Sequence, residues 1–148
     1  MSDWAERLVD DDVGLRVILK TAKSVAVIGA KIGAHEPAHY VPAYLAARGY
    51  RIHPVNPKLV GETMHGVPVV GRLADLDGAV DVVEIFRRPQ YLLDHAREIL
   101  ALTWRPQAVW FQLGIRNDAA AEALARAGMK VVQDRCMMPE HRRLFGTA

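Results

Sequence analysis

Five short apolar runs, separated by breaks and by segments of helical spacing, leave this chain few ways to fold. Residues 24–29, Ser-Val-Ala-Val-Ile-Gly, are nearly continuous in apolar and β-branched side chains. That composition suits a strand covered on both faces, as in a parallel sheet. After a loop containing Gly33 and Pro37, Val41, Tyr44 and Leu45 recur at helical spacing until Gly49. Residues 50–55 start a second strand, with Pro54 and Pro57 at its tip, where proline is tolerated. Residues 80–86 read as a third strand, and Pro89 at a first helical position opens a helix with Leu92, Leu93, Ala96, Ile99 and Leu100 on one face. Residues 107–113 form a fourth strand. Asn117 is an N-cap for a helix over 118–127, Gly128 ends it, and residues 129–132 give the last strand. Between 58 and 77, glycines 61, 66 and 71 break a weakly apolar stretch, so a loop, a short edge strand near 67–70 and a poor helix or turn after it are expected. A helix over about 13–22 is expected to lean on the edge of the sheet.

Strands that alternate with helices need right-handed crossovers. The fold expected is α/β: a single Rossmann-like, doubly wound domain with a mainly parallel sheet of about five strands and helices on both faces. Residues 1–23 read as an N-terminal helical extension packed on the domain, and residues 24–148 as the domain itself.

At 148 residues the chain fits one core. Its 51% hydrophobic and 24% charged residues are typical of globular domains, and a net charge of +2 gives no basic stripe for nucleic acid. No apolar run reaches membrane-spanning length, and Met1-Ser2-Asp3-Trp4-Ala5-Glu6 is acidic where a signal peptide would be basic, so a cytoplasmic location is expected. The single cysteine, Cys136, can form no internal disulfide and no multi-cysteine metal site.

In open α/β sheets ligands sit beyond the carboxyl ends of the strands, where the winding reverses. Four loops qualify: residues 29–39, 54–58, 86–89 and 112–117. The first has glycines at 29 and 33, with Lys31 where a dinucleotide loop has its second glycine. It is either an anion-binding turn or a tight strand-to-helix connection. The second loop discriminates better. An NAD-binding domain places Asp or Glu at the end of its second strand to hold the ribose hydroxyls. Here that place holds Pro54-Val55-Asn56-Pro57-Lys58. With no carboxylate there, a phosphate near the ribose is tolerated, as in coenzyme A or NADP. Lys58, Arg72, Arg87 and Arg88 are either countercharges or solvated surface.

These loops are part of a longer pattern: Val25-Ala26-Val27-Ile28-Gly29-Ala30, Gly49-Tyr50-Arg51, Pro54-Val55-Asn56-Pro57, Asp81-Val82-Val83, Phe86-Arg87-Arg88-Pro89, Trp110-Phe111-Gln112-Leu113-Gly114-Ile115-Arg116-Asn117 and Asp134-Arg135-Cys136. In this order and spacing it resembles the small stand-alone CoA-binding proteins of bacteria, which are similar to the CoA-binding domain of the succinyl-CoA synthetase α subunit. The resemblance runs from about residue 24 to 145. It implies a Rossmann-like domain that binds coenzyme A or an acyl-CoA as a ligand, with no reaction attached. By the same resemblance, phosphates would lie against Gly29, Ala30, Lys31 and Ile32 and the helix start at His39 and Tyr40. The adenosine would lie by Val55, Asn56, Pro57 and Lys58, with Phe86, Arg87 and Arg88 as a third wall. The pantetheine arm would run toward Gln112, Gly114 and Asn117. Lys31 replaces a serine common among relatives. The phosphorylated histidine domain and the nucleotide-grasping subunit of the synthetase are absent from these 148 residues, so binding is implied and ligase activity is not.

Two rival readings come from other classes. A CoA-dependent acyl or redox transferase would use Cys136 with His141, five residues on; Cys136 is otherwise a small apolar side chain beyond the last strand, or a partner for the CoA thiol in a mixed disulfide. An NAD(P)-dependent oxidoreductase is disfavoured by Asn56 and by the lack of a catalytic pair. The six histidines show no zinc spacing. Trp104, Trp110 and the stripe from Leu92 to Leu100 are core or a subunit contact, which leaves a protein partner or a homo-oligomer open.

Overall fold

In the computed structural model, which describes residues 3–146, the chain runs α1 (Asp12–Thr21), β1 (Ser24–Ile28), α2 (Pro37–Ala47), β2 (Arg51–Val55), β3 (Thr63–Met64), β4 (Val67–Pro68), β5 (Val82–Ile85), α3 (Leu92–Leu100), β6 (Ala108–Phe111), α4 (Asp118–Arg126), β7 (Lys130–Val132) and α5 (Met137–Phe145). Short 3-10 turns cover Trp4–Arg7, Leu73–Asp75 and Pro89–Tyr91. Five strands form one sheet in the order β2-β1-β5-β6-β7, and every neighbouring pair is parallel. This is the doubly wound α/β domain expected, and its winding reverses between β1 and β5.

Strand side chains alternate between faces, which divides the interior in two. Val25, Val27, Val82 and Trp110 face α1, α2 and α5 and pack with Leu15, Ile18, Val41, Leu45 and Met137. Ala26, Ile28, Val83, Ile85, Val109 and Phe111 face α3 and α4 and pack with Leu92, Ala96, Ile99, Ala121 and Leu124. Each fully buried aliphatic side chain contributes roughly 1.5–3 kcal/mol, so both layers are needed to hold the sheet.

Three details depart from the sequence reading. Helix α1 lies on a face of the sheet, because Leu15, Ile18 and Leu19 all point into the first core. It is the segment before it that reaches the edge, where Leu8 bridges Val131 and the Val9 N–H donates to the Val131 carbonyl at 2.8 Å. The expected edge strand near 67–70 is instead the β3–β4 hairpin followed by a single parallel bridge from Val70 to Val55. Helix α5 was not foreseen: Pro139 in its first turn and the polar stretch 140–143 hide a helix that buries only Met137 and Leu144. Among the described residues no helix is long and apolar enough to cross a membrane.

Candidate ligand-binding site

Three strand tips are pressed together at the reversal point. Gly29 follows β1 with φ +84°, its N–H donates to the Val55 carbonyl at 3.0 Å, and the Phe86 N–H donates to the Ile28 carbonyl at 2.9 Å. A Cβ at Gly29 would stand 2.5 Å from the Phe86 carbonyl oxygen. Glycine is required there by both the left-handed backbone and the neighbouring main chain.

Asn56 fastens the loops after β1 and β2. Its Nδ2 donates to the Ala30 carbonyl at 2.8 Å, its Oδ1 accepts from the Lys58 N–H at 2.9 Å, and its own N–H donates to the Val70 carbonyl at 2.9 Å. The loop after β1 is held from its other side by α2. Pro42 lacks the N–H that would reach Ala38 within the helix, and the Ala38 carbonyl accepts from the Lys31 N–H at 3.4 Å. The His39 Nδ1 lies 3.0 Å from the Lys31 carbonyl oxygen.

Two adjoining clefts open above these tips. The first, about 500 Å³, is lined by Gly29, Lys31, Asn56, Pro57, Lys58, Phe86, Arg87, Arg88 and Tyr91. Among the described residues it is lined by four cationic side chains and no carboxylate. The second, also about 500 Å³, shares Lys31, Phe86, Arg87 and Arg88 with the first and continues past Glu36, Pro37, Ala38, Tyr40 and Pro89 to Gln112, Leu113, Gly114, Ile115 and Cys136. Both volumes are in the range of small-molecule sites. Lys31 has a countercharge, its Nζ lying 3.8 Å from Glu36 Oε2. The Arg87 guanidinium carbon sits 4.6 Å from the centre of the Tyr91 ring, which steers it across the first cleft. The N-terminus of α2, with Pro37 at its first position, forms part of the second wall and adds a partial positive charge.

At the far end, Gln112 is buried directly after β6 and its Nε2 donates to Glu84 Oε2 at 2.6 Å. Gly114, at φ +82°, donates its N–H to Asp134 Oδ1 at 2.6 Å, tying the β6 loop to the β7 loop. Leu113 stands on the rim, 70% exposed.

Of the sixteen residues picked out from sequence, Gly29, Lys31, Tyr40, Asn56, Pro57, Lys58, Phe86, Arg87, Arg88, Gln112 and Gly114 line the two clefts. The other five do not. Ala30 and Val55 are buried and shape the turns from below, Ile32 points outward at 49% exposure, and His39 braces the Lys31 loop. Asn117 caps α4, its side chain accepting from the Ala120 N–H at 3.0 Å and donating to the Pro89 carbonyl at 3.0 Å. Sequence reasoning missed Tyr91, whose signal was an aromatic one helical turn after Arg87, and Glu84, a carboxylate inside an otherwise apolar strand.

Cys136 and His141 line different pockets. Cys136 lines the second cleft, and burial pushes its thiol above the ordinary cysteine range. His141 lines a different pocket with Arg48 and Tyr50, and its Nδ1 is 3.0 Å from the Tyr44 hydroxyl. Burial and the nearby Arg48 charge hold its imidazole below the usual histidine range.

Comparison with known proteins fits this geometry. Residues 23–142 match the model of the CoA binding domain family. The uncharacterized protein YneT of Bacillus subtilis is 34% identical over 127 residues, covering 86% of this chain and 91% of that protein. A solved structure from Thermus thermophilus, cell-free ID.343, superposes with a TM-score of 0.87 at 49% identity, covering 92% of this chain and all of the other. A hypothetical protein from Pyrococcus horikoshii OT3 superposes with a TM-score of 0.85 at 31% identity, covering 93% and 94% of the two chains. With the match spanning most of its length, the chain belongs to the family of CoA binding domains.

Proposed function

We propose that the protein binds coenzyme A, free or acylated, across the two clefts and acts as a ligand-binding module. The observation that carries this reading is the tip of β2. Asn56 stands where a ribose-binding carboxylate would be, and both ends of its side chain are already bound to main chain. The first cleft therefore offers Lys58, Arg87 and Arg88 to an anion, with Lys31 shared with Glu36, and has no carboxylate among its described lining residues. That suits a nucleotide with a ribose phosphate and a diphosphate. The second cleft is lined mainly by apolar side chains beyond Arg88 and suits a long, uncharged arm ending near Gln112 and Cys136.

Isothermal titration against CoA, acetyl-CoA, NAD and NADP tests the assignment. CoA and acetyl-CoA should bind at least about tenfold more tightly than NAD, a difference of about 1.4 kcal/mol. Tight NAD binding with no CoA binding would overturn it.

A further inference from the structure

Glu84 is the one charged residue among the fully buried side chains of the sheet, and the ligand reading leaves it without a role. It lies in β5 between Val27 of β1 and Trp110 of β6, on the face packed by α1, α2 and α5. A carboxyl group in such a place is costly unless its oxygens are satisfied. One is: Oε2 accepts from Gln112 Nε2 at 2.6 Å. The other, Oε1, is buried with no hydrogen-bond partner among the described residues. Gln112 in turn lines the second cleft. A buried acid is thus linked through one amide side chain to the place where the ligand's arm would end.

We propose that Glu84 is a positioning residue for the ligand: it locks the Gln112 amide, and the proton on its carboxyl decides which end of that amide faces the cleft. This rests on the CoA reading above. An ionised Glu84 can only accept, so it holds Gln112 by Nε2 and turns Oε1 away from itself. A protonated Glu84 can still accept from Nε2, as the structure shows, but only the protonated form can also donate its O–H to Gln112 Oε1 with the amide turned, which frees the NH₂ group for a carbonyl of the ligand's arm. Burial pushes the Glu84 carboxyl up to about 8, so the protonated form holds at neutral pH. One other titratable group among the described residues, Cys136 in the loop into α5, senses the Glu84 charge, and Glu140 acts on the same thiol. A ligand arm laid over Gln112 excludes water from the pair and favours the protonated form further, so binding weakens as pH rises through that range.

The test is acetyl-CoA affinity between pH 6 and 10, the thioester removing the ligand's own thiol. In the wild type the Kd should be level below pH 7 and weaken by about tenfold above 9, the effect of roughly one unit of linked pKa change. Glu84→Gln, which keeps the shape and cannot ionise, should bind with no such step, while Cys136→Ala should keep the step. In the protein without ligand, the side-chain NH₂ resonances of Gln112 should titrate with a midpoint near pH 8. A level wild-type profile, a step that survives in Glu84→Gln or vanishes in Cys136→Ala, or a Gln112 signal that does not titrate would each overturn the proposal. If the wild type binds no CoA species at any pH, the ligand reading fails, and the Gln112 titration then decides the Glu84 lock by itself.

Discussion

Gly29 shows how little room separates a loop from the strand beside it. Its φ of +84° and the Phe86 carbonyl 2.5 Å from a would-be Cβ make substitution a matter of folding before it is one of phosphate access. Gly29→Ala should lower stability by at least ~1–2 kcal/mol from the backbone term alone. A urea midpoint unchanged from wild type would contradict this. Lys58 is the opposite case. It lies on the surface of the first cleft, and among the described residues no carboxylate pairs with it. Lys58→Glu should leave stability within about 0.5 kcal/mol and weaken CoA by roughly tenfold, the effect of ~1.4 kcal/mol, read by titration calorimetry beside a denaturation curve. Equal loss of stability and affinity would mean the lysine is structural.

At the scale of elements, helix ends and strand tips divide the labour. Asn117 at the start of α4 and His39 in α2 hold the loops in place without lining the clefts. Asn117→Ala removes the cap on the Ala120 N–H and the tie to the Pro89 carbonyl. It should cost about 1 kcal/mol of stability, a typical N-cap loss. CoA affinity measured well below the melting range should change little, and a large loss of affinity with unchanged stability would instead place Asn117 against the ligand. Pro42 in the body of α2 has a similar supporting part, leaving the Ala38 carbonyl to the Lys31 N–H.

For the whole molecule, the buried acid ties stability to pH. The Glu84 carboxyl moves from an ordinary 4.5 to about 8 because burial penalises its charge. Between those values the unfolded chain has lost the proton and the folded chain keeps it, so the folded state binds more protons and stability falls as pH rises through that window. The penalty from this group is absent below 4.5 and levels off above 8. Glu84→Gln should remove that decline. Melting curves of both proteins across the window measure it, and parallel profiles would show that Glu84 does not titrate in this range.

Periodicity alone determined the order of the five sheet strands and of α1 to α4, because the central strands leave apolar runs and the helices leave stripes. The uncharged tip at Asn56 was equally legible, since the absence of a carboxylate is a fact of composition. What spacing could not express was contact between segments distant in the chain. Helix α1 lies on a face because three of its side chains reach one core, and α5 forms because Met137 and Leu144 have a surface to cover. Asn117, legible as a cap from sequence, gained its tie to the Pro89 carbonyl only through the fold, and Glu84 met Gln112 only when β5 and β6 paired in register. Burial and hydrogen-bond partnership are properties of neighbours in space, so the tertiary structure alone decided which polar residues face the clefts and which hold the walls.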